Sequence, residues 1–144
     1  MGKQKRADPY GSFNFLVEID GLTAAGFTEV SGLDVEVSVI EYREGGDFLT
    51  RKLPGLKKYS NITLKRGWSQ DTSLWNWMNQ ILEGNIQRAD GAITLLDDAR
   101  QPVSRWRFQN GWPCKWLGPT LDAKSGGFAI ETLEIVHEKL ELEI

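Results

Sequence analysis

Few residues in this 144-residue chain have types and spacings suited to catalysis. The single histidine, His137, stands beside Glu138, a pair that a general acid–base centre would use. A Ser-His-Asp arrangement would have to bring His137 to Ser31, Ser60 or another serine, and no serine sits in a nucleophile-elbow pattern. His137 instead reads as an exposed residue of a strand. Asp97-Asp98 has the composition of a metal pair. Adjacent strand residues point to opposite faces, however, and Arg100 and Pro102 mark a solvated turn. Glu131, Glu134, Glu138, Glu141 and Glu143 fit the polar positions of a long strand, and none is singled out as half of a paired-carboxylate site. Gly45-Gly46 and Gly126-Gly127 lack the Lys-Ser/Thr that would complete a phosphate loop. Cys114 lies between Pro113 and Lys115; the lysine would lower its pKa, but a buried structural thiol is the expectation. One cysteine rules out an intrachain disulfide and argues against a cysteine-based zinc site. The residues thus predict no catalytic centre, no metal site and no cofactor.

Aromatic residues carry more information. Arg105–Pro119 (RWRFQNGWPCKWLGP) holds three of the six tryptophans, the cysteine and two of the five prolines. Trp106, Phe108, Trp112 and Trp116 are large rigid groups with no nucleophile or base beside them, which points to packing and docking. Trp106 and Phe108 are expected to face the core, Trp75 or Trp77 to pack a helix down, and Trp112 and Trp116 to anchor an edge. Stacking on a sugar or a base is the functional alternative for the same residues.

Most of the elements that would position these residues are strands. Ser12–Asp20 alternates, with Phe13, Phe15, Val17 and Ile19 on one face, and Asp20-Gly21 marks a turn. Leu33, Val35, Val37 and Val39 alternate with polar residues until the phase slips at Ile40, which predicts a bulge or a bend. Arg43–Lys58 has three glycines, a proline, seven charged residues and four large apolar ones, and is expected to form a long loop or extended hairpin. Tyr59–Trp68 follows as a strand. Asp71–Glu83 is the one predicted helix, with Asp71 as N-cap, an apolar face of Leu74, Trp77, Met78 and Ile81 widened by Trp75 and Leu82, and Gly84 at C′. That helix should cover a sheet face or plug a barrel end. Ile86–Leu96, Val103–Asn110 and a final long strand, Phe128–Ile144, complete the pattern. With six to eight strands, one flanking helix and no βαβ alternation, the fold class is mainly β: a two-sheet antiparallel barrel or sandwich.

Composition bounds the function. A chain of this length is most simply one domain, burying about 70% of its unfolded surface. It is 40% hydrophobic and 26% charged, with net charge −3, which argues against general or sequence-specific nucleic-acid binding. No apolar run is long enough to span a bilayer as a helix, and Met1–Asp8 has no hydrophobic core of a secretory signal, so synthesis and folding in the cytoplasm are expected. Residues 1–9 form a basic arm, with Lys3, Lys5 and Arg6, expected to be flexible in the monomer.

Four blocks in order resemble the tail-tube proteins of contractile phages and phage-like injection systems, the T-even tail-tube family. They are Phe13–Ile19, Gly26–Tyr42, Leu53–Gly67 and Asn110–Glu138; the Val30-Ser31-Gly32-Leu33 element and the Trp-Pro…Gly-Pro…Leu-Asp-Ala run are the specific ones. The resemblance implies a non-enzymatic subunit of an inner tube. Six copies would form a ring with a continuous β-lined channel, and rings would stack. It implies partners: the chain itself, a contractile sheath, baseplate or spike and tube-terminating proteins, and a luminal cargo of DNA or protein. Arg43–Lys58 would correspond to the family's extended hairpin loop, with Glu44, Asp47, Arg51 and Lys52 matching charges on the adjacent ring, Phe48 and Leu49 as anchor, and Lys3, Lys5 and Arg6 ordering on stacking. A baseplate-proximal adaptor of the same fold, and a carbohydrate-binding sandwich using Trp112 and Trp116, are the alternatives.

Overall fold

In a computed structural model, residues 8–22, 26–46 and 48–144 are described. Among them the elements are β1 (Phe15–Ile19), β2 (Phe27–Ser31), β3 (Val35–Tyr42), β4 (Arg51–Tyr59), β5 (Ile62–Gly67), α1 (Ser73–Leu82), β6 (Ala89–Leu96), β7 (Pro102–Leu117), β8 (Ile130–Val136) and β9 (Lys139–Glu143). Seven strands form one hydrogen-bonded array along the path β1-β6-β7-β8-β5-β2, with β9 also on β7; β3 and β4 form a separate two-stranded ribbon.

The array makes two layers because β7 serves both. Its residues Arg105–Gln109 pair with β9 on one side and, through most of their length, with β6 on the other, while Trp112–Leu117 pair with β8. The change falls at Asn110, whose φ is 55°, and Gly111. One layer is therefore β1, β6, the first half of β7 and β9; the other is the second half of β7, β8, β5 and β2. Alternation turns Ile19, Ile93 and Phe108 of the first layer toward Ile62, Leu64, Leu133 and Ile135 of the second, and Leu74 and Trp77 of α1 complete this core. Gly91 is required where it stands, since a Cβ there would overlap the Phe108 ring and the Glu18 carbonyl. Among the described residues no ladder joins β1 to β2, the two ends of the path, so the fold is an open sandwich and not a closed barrel.

Several sequence expectations change. Phe27–Ser31 is a strand that the pattern did not single out, and with it the described strands number nine. Phe13 is exposed and precedes β1. The Tyr59–Trp68 segment is two strands: Tyr59 ends β4, and β5 starts at Ile62 after a break at Ser60-Asn61. The strand at Val103–Asn110 runs on through the Trp-Pro segment to Leu117. The final strand divides at His137-Glu138, opposite the β7 corner, which explains the reversed phase of Leu140 and Leu142. The helix is Ser73–Leu82 rather than Asp71–Glu83, with Thr72 at the N-cap; Asp71 still accepts the Ser73 N–H, at 3.0 Å. Gly84 occupies C′ as expected, with φ 85°. Leu82, assigned to the apolar face, is exposed. The slip near Ile40 is a ladder irregularity between Val37 and Val39, where β4 carries the extra residue; it does not bend the strand between sheets.

Candidate assembly interface

The ribbon is the most unusual surface. Every residue of β3 is exposed, and Val35, Val37, Val39, Ile40, Leu53 and Leu56 leave their side chains uncovered. Directly opposed residues share a face, so Val35, Val37 and Val39 stand with Tyr59 and Pro54 on one side, while Ile40 and Tyr42 stand with Leu53 and Arg51 on the other. Glu36 stands opposite Lys58 and Glu41 opposite Lys52 across the ribbon, placing opposite charges side by side. A two-stranded hairpin is marginal in water by itself, and apolar exposure on both faces is a docking signature.

Gly32 fixes how the ribbon leaves the sandwich. Its φ is 89°, and a Cβ there would overlap the Asn61 carbonyl oxygen, so the β2 exit lies directly on the β4–β5 break. The Val30-Ser31-Gly32-Leu33 element is thus the ribbon's root.

A buried polar network anchors α1 at one end of the sandwich. Arg66 and Glu131 sit opposite each other on β5 and β8, both facing inward and both buried. Arg66 Nε donates to Glu131 Oε1. Its other nitrogens donate to Asp71 Oδ2 at 2.9 Å and to the Asp71 carbonyl at 2.8 Å. Trp116 Nε1 donates to Glu131 Oε2 at 3.1 Å. The adjacent Ser73 side chain and its backbone N–H, with a hydrogen bond from Arg66, pull the Asp71 pKa down to about 2. Glu131 was expected on a polar strand position; it faces the interior because Arg66 is there to meet it.

The predicted aromatic cluster separates into distinct places. Trp116 lies edge-on between Trp75 and Trp68, with ring centroids 4.9 and 5.9 Å away. Trp77 is buried and donates to the Gln87 carbonyl at 3.2 Å. Phe108 is in the core, Trp106 is half-buried at the open β1–β2 side, and Trp112 is half-buried on the second half of β7. Trp68 was missed; only the sheet order, which brings β5 and β7 to either side of β8, makes it a neighbour of Trp116.

Of the predicted contact residues, Glu44, Phe48, Leu49, Arg51 and Lys52 lie at the ribbon tip and the start of β4. Phe48 is 94% exposed and Leu49 70%. Lys3, Lys5, Arg6 and Asp47 lie outside the described residues.

Among the described residues no catalytic arrangement is built. His137, expected at the surface, is buried in the break between β8 and β9, where its Nε2–H donates to the Ser60 carbonyl at 2.9 Å. Its ring lies among Tyr59 and Phe108, and it meets Ser60 through the backbone rather than the hydroxyl. Burial, not Lys115, governs Cys114: its pKa is raised, and Sγ donates to the Glu134 carbonyl at 3.5 Å. Among the described residues no three His, Cys, Asp or Glu side chains converge on a metal position, and no helix is long and apolar enough to cross a membrane.

Residues 11–141 match the family model of the T4-like virus tail tube protein gp19. The chain belongs to that tail-tube family. The family is structural, and this tail-tube chain is not an enzyme. Its fold is similar to a chain of the sheath–tube complex of an extracellular contractile injection system (PVC) in the extended state, at 29% identity and TM-score 0.85, covering 94% of this chain and 91% of that one. It is equally similar to a chain of the anti-feeding prophage baseplate, at 26% identity and TM-score 0.86, covering 96% and 97%. Hcp1 from Flavobacterium johnsoniae shares the fold alone, at 17% identity and TM-score 0.56, covering 88% and 94%. No curated protein sequence matches the chain. The tail-tube chain is thus a component of a phage tail or of an extracellular contractile injection particle.

Proposed function

We propose that this tail-tube chain, as a single domain, closes into six-membered rings that stack into a hollow inner tube. The tube lies within a contractile sheath and is driven through a target membrane to deliver DNA or protein cargo. The carrying observation is the ribbon: two strands with apolar side chains exposed on both faces, a surface suited to burial against a neighbouring subunit. Ring closure has support in the first layer, whose outer strands β1 and β9 have no strand beyond them among the described residues. Glu44, Asp47, Phe48, Leu49, Arg51 and Lys52 make the contact between rings, and the basic arm with Lys3, Lys5 and Arg6 orders on stacking. Sheath, baseplate and terminator partners follow from relatives solved in a sheath–tube complex, in a baseplate and in a tube-terminating cap. The chain is made in the bacterial cytoplasm before the particle assembles.

Negative-stain microscopy of the purified chain, alone and with baseplate components, tests this. Hollow rods of stacked rings are expected; monomers that never polymerise even with a baseplate would overturn it. The similarity to a chain of a baseplate assembly favours one second reading, a baseplate-proximal adaptor of the same fold. An adaptor would stop at single rings. The carbohydrate alternative loses support, since Trp116 is packed by Trp68 and Trp75 and hydrogen-bonded to Glu131.

A further inference from the structure

The ribbon joins the sandwich through two short connections. Gly32-Leu33-Asp34 leads from β2 into β3, and Ser60-Asn61 leads from β4 into β5. The connections are tied to each other, because the Ser60 N–H donates to the Asp34 carbonyl at 3.3 Å. Short connections side by side act as a hinge unless something outside them stops the swing. At the first, Leu33 packs against the core. At the second, Ser60 and Asn61 are both exposed, and the Asn61 side chain reaches the Cys114 sulfur, a weak acceptor, at 3.9 Å. The group that the sandwich sends to this break is His137. Its Nε2–H donates to the Ser60 carbonyl at 2.9 Å. Its ring centroid is 6.0 Å from that of Phe108 in the core and 5.7 Å from that of Tyr59, which ends β4.

We infer that His137 is the positioning residue that locks the ribbon in one direction relative to the sandwich. The chemistry of the ring supports this. A carbonyl oxygen can only accept, so Nε2 carries the proton and Nδ1 is a bare acceptor. Nδ1 is buried with no partner among the described residues, and the residue is only 8% exposed. A buried polar atom left unpaired is costly, and an apolar ring of the same size would avoid that cost. What the imidazole adds over such a ring is its bond to the ribbon root. Its mount is firm as well. Glu138, the next residue, is held to the β7 corner: its N–H donates to the Gln109 carbonyl at 3.0 Å, and its carboxylate accepts from the Asn110 side chain at 2.7 Å. The ribbon is thus aligned to the corner where the two layers meet. Tyr59 stands opposite Val35 in the rung nearest the sandwich, so the ring contact acts where both ribbon strands begin. The inference goes beyond the tube reading, since the lock lies within one chain and is set before any neighbour arrives. Apolar faces presented in a fixed direction lose less freedom on being covered.

The test is a distance between two spin labels within one chain, in the full chain carrying Cys114→Ser. The labels sit on Glu44→Cys, near the ribbon tip, and on Glu83→Cys, at the end of α1, both exposed positions. Read in the monomeric fraction, the chain with His137 should give a single narrow distance. His137→Phe keeps a ring but has no donor; it should lose that single distance while the sandwich keeps its cooperative thermal transition. His137→Gln returns an N–H donor and should recover the narrow distance, a rescue that packing alone would not give. A narrow distance in His137→Phe, a broad one with His137 in place, or a folded His137→Gln that stays broad would each overturn the lock. If His137→Phe does not fold, nitrogen NMR of the native histidine ring decides. A slowly exchanging proton on Nε2 supports the lock, and a proton on Nδ1 overturns it. All these readings are made on the single chain, so the tube reading stands or falls separately, by microscopy.

Discussion

Arg66 and Glu131 bring opposite charges into an interior otherwise made of Ile62, Leu64, Leu133 and Ile135. Such a pair is tolerated only because Asp71 and Trp116 satisfy the remaining donors and acceptor. Removing one partner leaves a buried charge uncompensated. Glu131→Ala is expected to cost about 3–5 kcal/mol in urea denaturation, whereas Arg66→Met with Glu131→Leu should recover most of that loss. Asp71 gives a pH signature. Its folded pKa of about 2 lies below the ordinary 3.8, so its contribution is present above about pH 4 and is lost as pH falls toward 2. The melting-temperature gap between wild type and Asp71→Asn should therefore narrow over that window. At Gly32, a positive φ combines with a backbone oxygen in the Cβ position. Gly32→Ala should destabilise by more than the roughly 1–3 kcal/mol typical of left-handed strain alone, as read by thermal unfolding.

The elements divide into those that support the core and those that await a partner. The ribbon is the second kind. Deleting Phe48–Leu53, which removes the first three residues of β4 but none of the sandwich, should leave the monomer's cooperative thermal transition in place while abolishing rods under the microscope; normal tubes from that deletion would remove the ribbon from stacking. The ribbon was legible in the sequence because four large apolar residues in a Gly-rich charged segment have no reason to be solvated. The helix was legible too, from its 3.6-residue period and Gly84, although its start was placed two residues early because Asp71 looked like the cap. β2 was not legible: Phe27–Ser31 is five residues with polar Thr28 and Glu29 exposed, too short for alternation to stand out. The division of the last strand was hidden because the break is made by His137 and Glu138, neither a glycine nor a proline. The Arg66–Glu131 pair was hidden for a different reason. Residues so far apart in sequence become neighbours only through the β5–β8 register, which no local pattern encodes.

For the whole molecule, the proposed tube covers the apolar surface outside the core with other copies, so stability should depend on how many copies are present. The melting temperature of the wild-type chain is expected to rise with protein concentration, and that of a Phe48→Ser variant to stay flat, by mass action. Scanning calorimetry over a wide concentration range checks this; a flat wild-type curve would mean that the ribbon has no partner among its own kind. The path of the strands adds a restraint in time. β1 finds its partner only when residues 89–96 exist, and β5 finds its second partner only when residues 130–136 exist. The stretch Ile130–Glu143 then runs along both halves of β7 and ties the layers together. A nascent chain short of that stretch has a ribbon but no finished platform to hold it. In the proposed tube this keeps a subunit from joining a growing particle before residues 130–143 have folded along β7.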